Sequence, residues 1–378
     1  MELEPSELQR RLDALRAGLA ARGWSCAVLT AESNFLYLTD LRFDALWSSA
    51  ARSLACIVPA DGPLHLLLPT FLAADAAEGY AEAVVHVYDP PRQSIEEPLV
   101  NILEGMSPGP IGWESGGESR MGLSFDAAAA VRAATRNRAA EDVSGLLWET
   151  RMRKSPAEVA ALAAAAAAGT AAFEAVFADG VAGRTERDLA RALAQRALEA
   201  GADRAEWVAC TSGVGSYHRF ASGPRDRVVE AGDIFWADVG LTSRGYWTDF
   251  CRAAVAGPVS GERAHLQGAV IEATAAGMNS CRPSTPVSEV AAAVRRRAAE
   301  LEIDLLGYGR LGHGIGLSST EPPSVAEWDQ TILAPGMVLT IEPALSHPSG
   351  LYCAEQVVLV TDGEPGILTA APSELTEA

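Results

Sequence analysis

Two stretches of this chain, roughly a hundred residues apart, carry the same local signals in the same order, and that repeat constrains the fold more than any single motif. In the first, Thr185-Glu186-Arg187-Asp188 caps a helix running to Gly201; in the second, Thr285-Pro286-Val287-Ser288 caps one running to about Leu301. Each helix precedes a strand. Gly232 starts a β-like run that reaches Asp238, and Gly336 starts one that reaches Glu342. Each run then meets a second carboxylate: Asp249 follows Asp238 across a turn containing Gly240 and Gly245, and Glu355 follows Glu342 across one containing Pro348 and Gly350. The expectation is an α+β unit with internal pseudo-twofold symmetry in which each half presents an acidic hairpin.

Strand periodicity places Trp247, Asp249, Cys251 and Ala253 on one face of the first hairpin, and Cys353, Glu355, Val357 and Leu359 on one face of the second. Taken singly, each acid reads as an exposed residue at a turn end. Taken together on apolar faces, they would carry a desolvation cost of several kcal/mol each and repel one another, and a bound cation removes both penalties. His313 lies in Leu311-Gly312-His313-Gly314-Ile315-Gly316, where glycines let backbone and ligand crowd together; a lone histidine would more often be a core residue. A dinucleotide loop is excluded there, because Glu321-Pro322-Pro323 follows where its helix would have to begin. Asp238, Asp249, His313, Glu342 and Glu355 therefore form a candidate ligand set of four carboxylates and one imidazole. Such a set suits Mn, Co, Fe or Zn as divalent ions, and four carboxylates offset the charge of two of them. A pair of ions ~3.5–4 Å apart would share a hydroxide nucleophile at neutral pH.

The rest of the chain fills in a second domain. At 378 residues it is long enough for two. From Ser25 to about Asp89 short β-rich runs (26–29, 53–58, 66–68 and 84–87) alternate with helical ones, which predicts an α/β domain over residues 1–145. Ser155-Pro156-Ala157-Glu158 then opens a helix with a capping serine, a proline at the first helical position and a glutamate three residues on, inside a catalytic domain over 146–378. A net charge of −19 argues against nucleic acid and anionic membranes as partners. Ser6-Glu7-Leu8-Gln9 reads as a capping box ahead of an amphipathic helix rather than as a secretory signal, and the alanine tract 160–168 as a soluble helix. Six scattered cysteines without a CxxC pair suit reduced thiols and a cytoplasmic location.

These residues together resemble the M24 metallopeptidases, the pita-bread family of methionine aminopeptidase, aminopeptidase P, prolidase and creatinase. The resemblance runs through Arg151-Met152-Arg153-Lys154-Ser155-Pro156-Ala157-Glu158, the Asp238 to Asp249 spacing, Gly312-His313-Gly314-Ile315-Gly316, Thr340-Ile341-Glu342-Pro343, and Glu355 ahead of Val357-Val358-Leu359-Val360-Thr361. It implies a creatinase-type N-terminal domain, as in the aminopeptidase P and prolidase branch, ahead of a pita-bread domain. It also implies that Asp238 binds one metal, that Asp249 and Glu355 bridge two, and that His313 with Glu342 completes the other, with Glu342 as proton shuttle. His218, in Ser212-Gly213-Val214-Gly215-Ser216-Tyr217-His218, fits the place of a histidine that binds substrate and stabilises the transition state. As a loop residue without such a role it would simply be a surface histidine.

Three positions depart from the family pattern. Thr320 stands where a second histidine is usual, seven residues after the metal histidine; Cys353 replaces an arginine and Cys251 a threonine. A hydroxyl donates a hydrogen bond but does not titrate near neutral pH, so Thr320 is expected at the substrate without the acid–base role of an imidazole. Cys251 and Cys353 are expected either to lie together beside the centre or to serve as small buried apolar groups. The implied activity is cleavage of an N-terminal peptide bond in a short peptide, as by Xaa-Pro aminopeptidases and dipeptidases, in a homodimeric enzyme. The alternatives are hydrolysis or elimination on a small non-peptide molecule, in the manner of ectoine hydrolase, and a pita-bread binding protein without catalysis.

Overall fold

The computed structural model describes residues 5–43, 52–79, 83–307 and 309–378. The chain forms two compact units, Met1–Arg151 and Met152–Ala378, so the division falls 6 residues beyond the expected one. The helix Ser144–Arg151 accounts for the difference, since it packs within the first unit, where a Cβ on Gly18 would come 2.7 Å from Leu146.

In the first unit the helix Pro5–Ala21 buries Leu12, Leu15 and Leu19. Ser6 is its second residue and not its cap: a proline at the first helical position suits the helix start, and Gln9 donates forward to Asp13 instead of back (2.7 Å). Strands β1 (Cys26–Leu29), β2 (Ala55–Pro59), β3 (His65–Pro69), β4 (Val84–Tyr88), β5 (Ile111–Trp113) and β6 (Ala140–Asp142) form one sheet in the order β4-β3-β2-β1-β5-β6. All neighbours are parallel except that β2 runs against β1 and β3. Helices cover this sheet, so β1 and β2 are buried at every position and read as unbroken apolar runs.

The second unit opens as its sequence requires. Ser155 Oγ accepts the Glu158 N–H, and Glu158 Oε2 accepts the Ser155 N–H at 2.8 Å, starting the helix Pro156–Ala178. By length and composition that helix could cross a bilayer, but it is a core helix of this unit. Ala165, Ala168, Ala172, Phe173 and Val176 are buried, and at Gly169 a Cβ would stand 2.7 Å from the Phe250 ring. Together with the helix Glu186–Glu199 it packs on β7 (Arg204–Ser212), β8 (Ile234–Ser243) and β9 (Tyr246–Val255). The second half repeats the plan: helices Gly261–Ser280 and Val287–Glu300 share a core with a sheet built from β10 (His313–Gly314), β11 (Glu321–Ser324) and β12 (Val338–Ile341). After β13 (Ala344–His347) and β14 (Gly350–Cys353), that sheet is completed by β15 (Gln356–Leu359) and β16 (Gly366–Ile367), in the order β11-β10-β12-β15-β16. β17 (Thr376–Glu377) returns to the edge of the β7–β8–β9 sheet of this unit, beside β9.

The two halves match in detail. The second helix of each pair has 14 residues. Gly232 and Gly336, which turn the chain into the acidic strands, both have φ +87, where a side chain would be strained. They differ at the caps. Thr185 Oγ1 accepts the Asp188 N–H at 3.0 Å, but Thr285 caps nothing, because Pro286 takes the cap position and has no hydroxyl to offer.

The hairpins also differ. β8 and β9 pair without interruption through a turn at Arg244 and Gly245 (φ 55 and 79), the double positive φ of a tight hairpin. Gly240 is not in that turn; it lies inside β8 opposite Asp249, where a Cβ would press 2.3 Å from the Trp207 indole. In the second half β12 pairs with β15, Ile341 facing Gln356, while the chain between them leaves as the separate ribbon β13–β14. Strand alternation is therefore broken at residues 354 and 355: Cys353 ends one sheet and Val357 belongs to another, contrary to the single face expected.

Candidate metal centre

The register of β8 on β9 sets Asp238 opposite Cys251 and Asp249 opposite Gly240, so the two aspartates lie diagonally on one face of the hairpin. Glu342 and Glu355 flank the Ile341–Gln356 pair at the root of the ribbon, where the chain leaves and re-enters the second sheet. The two halves thereby bring their acids together. Carboxylate oxygens of Asp238, Asp249 and Glu355 all lie within 4.8 Å of one another. His313 joins through Nε2, 3.6 Å from Glu342 Oε1 and 3.8 Å from Asp249 Oδ2. Asp249 thus belongs to both groupings.

The histidine is oriented from behind. Its Nδ1 lies 3.0 Å from the Gly314 carbonyl, which puts the proton there and turns the Nε2 lone pair toward the acids. Its N–H donates to Thr340 Oγ1 at 3.2 Å, and the Glu342 N–H donates to the Leu311 carbonyl at 2.9 Å, so loop and strand are stitched on both sides of the cluster. The glycines serve the backbone itself: with φ +149 at Gly312, a Cβ would fall 2.0 Å from the Thr340 carbonyl.

Electrostatics make this arrangement costly without a cation. Burial, then the charge of Glu342, pushes Asp238 up to about 7. Asp249 is held well above the carboxylate range by burial and then by Asp238 and Glu342, and Glu355 by burial and then by Asp249 and Asp238. Asp238 Oδ1 and Glu355 Oε1 are buried without a hydrogen-bond partner among the described residues. Orphaned acceptors on clustered acids, with an imidazole lone pair beside them, are what a bound cation would satisfy. Two ligand atoms each ~2.1 Å from one ion stand roughly 3 to 4.2 Å apart, depending on the angle, and the His313 separations fall in that range. The residues fit one or more divalent ions.

The remaining residues stand apart. His218 is exposed and Thr320 half-buried, and among the described residues no hydrogen bond or ion pair joins either to the cluster. The residue before His218 is anchored: Tyr217 OH accepts the Ile234 N–H at 3.0 Å and the Tyr217 carbonyl accepts from Ser346. Cys251 and Cys353 are buried and interact side chain to side chain. Burial holds the Cys251 thiol far above its ordinary range. At Cys353 the bond from Cys251 lowers the value, but burial and the neighbouring acids outweigh it.

Sequence reasoning passed over two features that support the site. The charge of Arg310 opposes the rise at Asp249; its signal was its place directly ahead of the Leu311-Gly312-His313 loop. Lys154 and Glu321 form a fully buried ion pair at 3.2 Å, and Glu321 Oε1 also accepts the Ser318 N–H at 3.1 Å, fixing the loop between His313 and Thr320. Both residues lay inside quoted motifs, but their pairing across more than 160 positions left no local trace.

Known proteins share this architecture. Residues 160–362 match the Metallopeptidase family M24, and residues 11–153 the Creatinase/Prolidase N-terminal domain. The "Probable dipeptidase PepE" of Mycobacterium tuberculosis is 29% identical over 373 residues, 97% of this chain and 95% of that one. The Xaa-Pro dipeptidase of Pyrococcus horikoshii is 29% identical over 242 residues, covering 62% of this chain and 67% of its own. The solved Xaa-Pro dipeptidase from Bacillus anthracis superposes with a TM-score of 0.85 at 23% identity, over 98% of this chain and 100% of that one.

Proposed function

The chain belongs to metallopeptidase family M24, as a creatinase-type domain followed by a pita-bread domain, and from that premise we propose that it cleaves an N-terminal peptide bond in short peptides of the Xaa-Pro type. One observation carries the reading: Asp238, Asp249 and Glu355 converge within 4.8 Å while Asp238 Oδ1 and Glu355 Oε1 are buried without a hydrogen-bond partner among the described residues. Asp238 would hold one divalent ion, Asp249 and Glu355 both ions, and His313 with Glu342 the second, which accords with Asp249 lying near both groupings. Bound there, two such ions supply Lewis acidity and a water of lowered pKa at neutral pH.

The chain's own residues do the rest. Glu342, partly exposed beside the buried acids, would take a proton from the attacking water and return it to the leaving amine. His218, on a loop anchored through Tyr217, binds the substrate carbonyl side, and Thr320 offers a hydroxyl where relatives carry an imidazole. The M. tuberculosis and P. horikoshii relatives are named as dipeptidases, which favours a short peptide over a polypeptide. Manganese, a homodimer and a cytoplasmic setting complete the reading; all six cysteines are free.

A second reading keeps the chemistry and changes the substrate. Thr320, Cys251 and Cys353 depart from the family's usual histidine, threonine and arginine, and a changed surrounding of the acid cluster favours a small non-peptide amide or amidine. The two readings part in one experiment. Protein saturated with Mn(II) is incubated with Xaa-Pro dipeptides, longer Xaa-Pro peptides and cyclic amidines, alongside Asp249→Asn. Peptide turnover abolished in Asp249→Asn supports the leading proposal; silence on every peptide refutes it, and amidine turnover establishes the second.

A further inference from the structure

Glu186 opens the helix Glu186–Glu199, and it is fully buried (0% exposed). Its carboxylate accepts from Arg225 Nε (2.9 Å), Arg225 Nη2 (2.6 Å), the Arg225 N–H (3.0 Å) and Ser212 Oγ (2.7 Å). Burial works against its charge, but the bonds from Arg225 and Ser212 outweigh it and hold the carboxyl below its usual range. The remaining reach of the Arg225 fork goes to one loop: Nη1 donates to Ser216 Oγ at 3.1 Å, and Nη2 also to the Ser212 carbonyl at 3.2 Å. Arg227 grips the start of the same loop. Its Nη1 donates to Ser212 Oγ at 3.0 Å and pairs with Asp233 at 2.7 Å, and at Gly213, with φ +83, a Cβ would fall 2.2 Å from its Nη2.

That loop leads to His218. Neutral bonds already close its turn: Thr211 Oγ1 donates to the Ser216 carbonyl at 3.0 Å, the Ser216 N–H to the Gly213 carbonyl at 3.1 Å, and the Arg219 N–H to the Ser216 carbonyl at 3.0 Å. Its far side is tied through Tyr217 to Ile234, four residues before Asp238, and to Ser346, four residues after Glu342. His218 itself is exposed, and among the described residues its ring has no hydrogen-bond partner, so the loop alone sets where it stands. A buried ion pair adds little net stability. What a bidentate, planar fork adds is direction, because a guanidinium locked on one carboxylate can hold two further acceptors only in one geometry.

We infer that Arg225, locked by Glu186, is a positioning residue for His218: its fork fixes Ser212 and Ser216 and so holds the loop in one place against the strands that carry Asp238 and Glu342. The inference rests on reading His218 as the substrate-side residue of the proposed peptidase. Arg225 acts through the loop and touches no substrate.

The test is steady-state hydrolysis of alanylproline by the Mn(II)-saturated full chain, for the wild type, His218→Ala, Arg225→Lys, the double variant of those two, and Arg187→Met. Lysine keeps a cation for Glu186 and loses the fork, while Arg187→Met removes only an exposed ion pair to Asp226 on the same segment. Supporting outcomes are a kcat lowered about tenfold or more in Arg225→Lys with KM held within about threefold, a further loss of no more than about twofold when that change is added to His218→Ala, and wild-type kinetics in Arg187→Met. Amide hydrogen exchange of the metal-free proteins gives a readout apart from activity: residues 213–219 should exchange about tenfold faster in Arg225→Lys, with β8 and β9 unchanged. The inference is overturned, with His218 still in the mechanism, if His218→Ala is slow while Arg225→Lys keeps the wild-type kcat, if the two losses multiply in the double variant, or if exchange over 213–219 does not change. Should Arg225→Lys not be recovered folded, Ser216→Ala decides, since it removes one receiver of the fork and leaves the ion pair. A kcat loss of about threefold or more that vanishes in the His218→Ala background supports the inference, and a wild-type kcat overturns it. A wild-type kcat in His218→Ala, or a wild type silent on the dipeptide, would instead overturn the reading of the site and this inference with it.

Discussion

Stripping the metal should turn the acid cluster into a pH-dependent source of instability. In the protein alone, burial and then the charge of Glu342 hold Asp238 at about 7, against 3.8 for an ordinary aspartate. The folded value lies above the unfolded one, so the native state holds the proton more tightly; the stability this contributes is fully present below about pH 4 and is lost as pH rises through 7. Above pH 7 the whole difference counts, roughly 4 kcal/mol for Asp238 at about 1.4 kcal/mol per pH unit. Asp249 and Glu355 are raised in the same direction and add to it. A bound cation favours the ionised acids and cancels the loss. At roughly 2–4 °C per kcal/mol, the Tm gap between chelated and Mn-saturated protein should be small at pH 5 and should widen by about 10 °C by pH 8. Thermal unfolding followed by circular dichroism at both pH values, with and without chelator, measures it. Asp238→Asn should flatten the chelated curve and remove most of the response to Mn(II). A gap of equal size at pH 5 and pH 8, or a full Mn(II) response in Asp238→Asn, would refute the reasoning.

His218→Ala should slow peptide turnover by about 10²–10⁴ with metal stoichiometry unchanged; unaltered kcat in steady-state assays would remove His218 from the mechanism. Lys154→Met removes the buried cation that faces Glu321, and urea denaturation should show a loss of about 3–5 kcal/mol, partly recovered in the double variant with Glu321→Gln. A loss under about 1 kcal/mol would mean that the loop between His313 and Thr320 does not depend on that pair.

Local signals were legible where they act over a few residues. The Ser155 capping box, the Thr185 cap, the buried β1 and β2 and the turn glycines Gly232 and Gly336 all carry their cause within a short window. The errors arose where a neighbour changed the local rule. Pro286 displaced the cap expected at Thr285, and the ribbon β13–β14 interrupted an alternation that the pattern around Cys353 had extended through Glu355 to Leu359.

The site divides in the same way. The candidate ligand types, their order and the repeat that pairs them follow from the sequence, because acids on apolar strand faces need a counter-charge wherever the strands end up. How the acids meet is a tertiary fact. The diagonal of Asp238 and Asp249 comes from the β8–β9 register, and Glu342 and Glu355 come together because β12 pairs with β15 across an excursion. The Lys154–Glu321 pair was invisible to any window, since its members lie more than 160 residues apart and a buried charge is recognised only by what surrounds it. The chain's sequence alone thus determined which chemistry was on offer, and only the folded structure decided which groups touch, because contact at that range is set by sheet register and packing rather than by spacing.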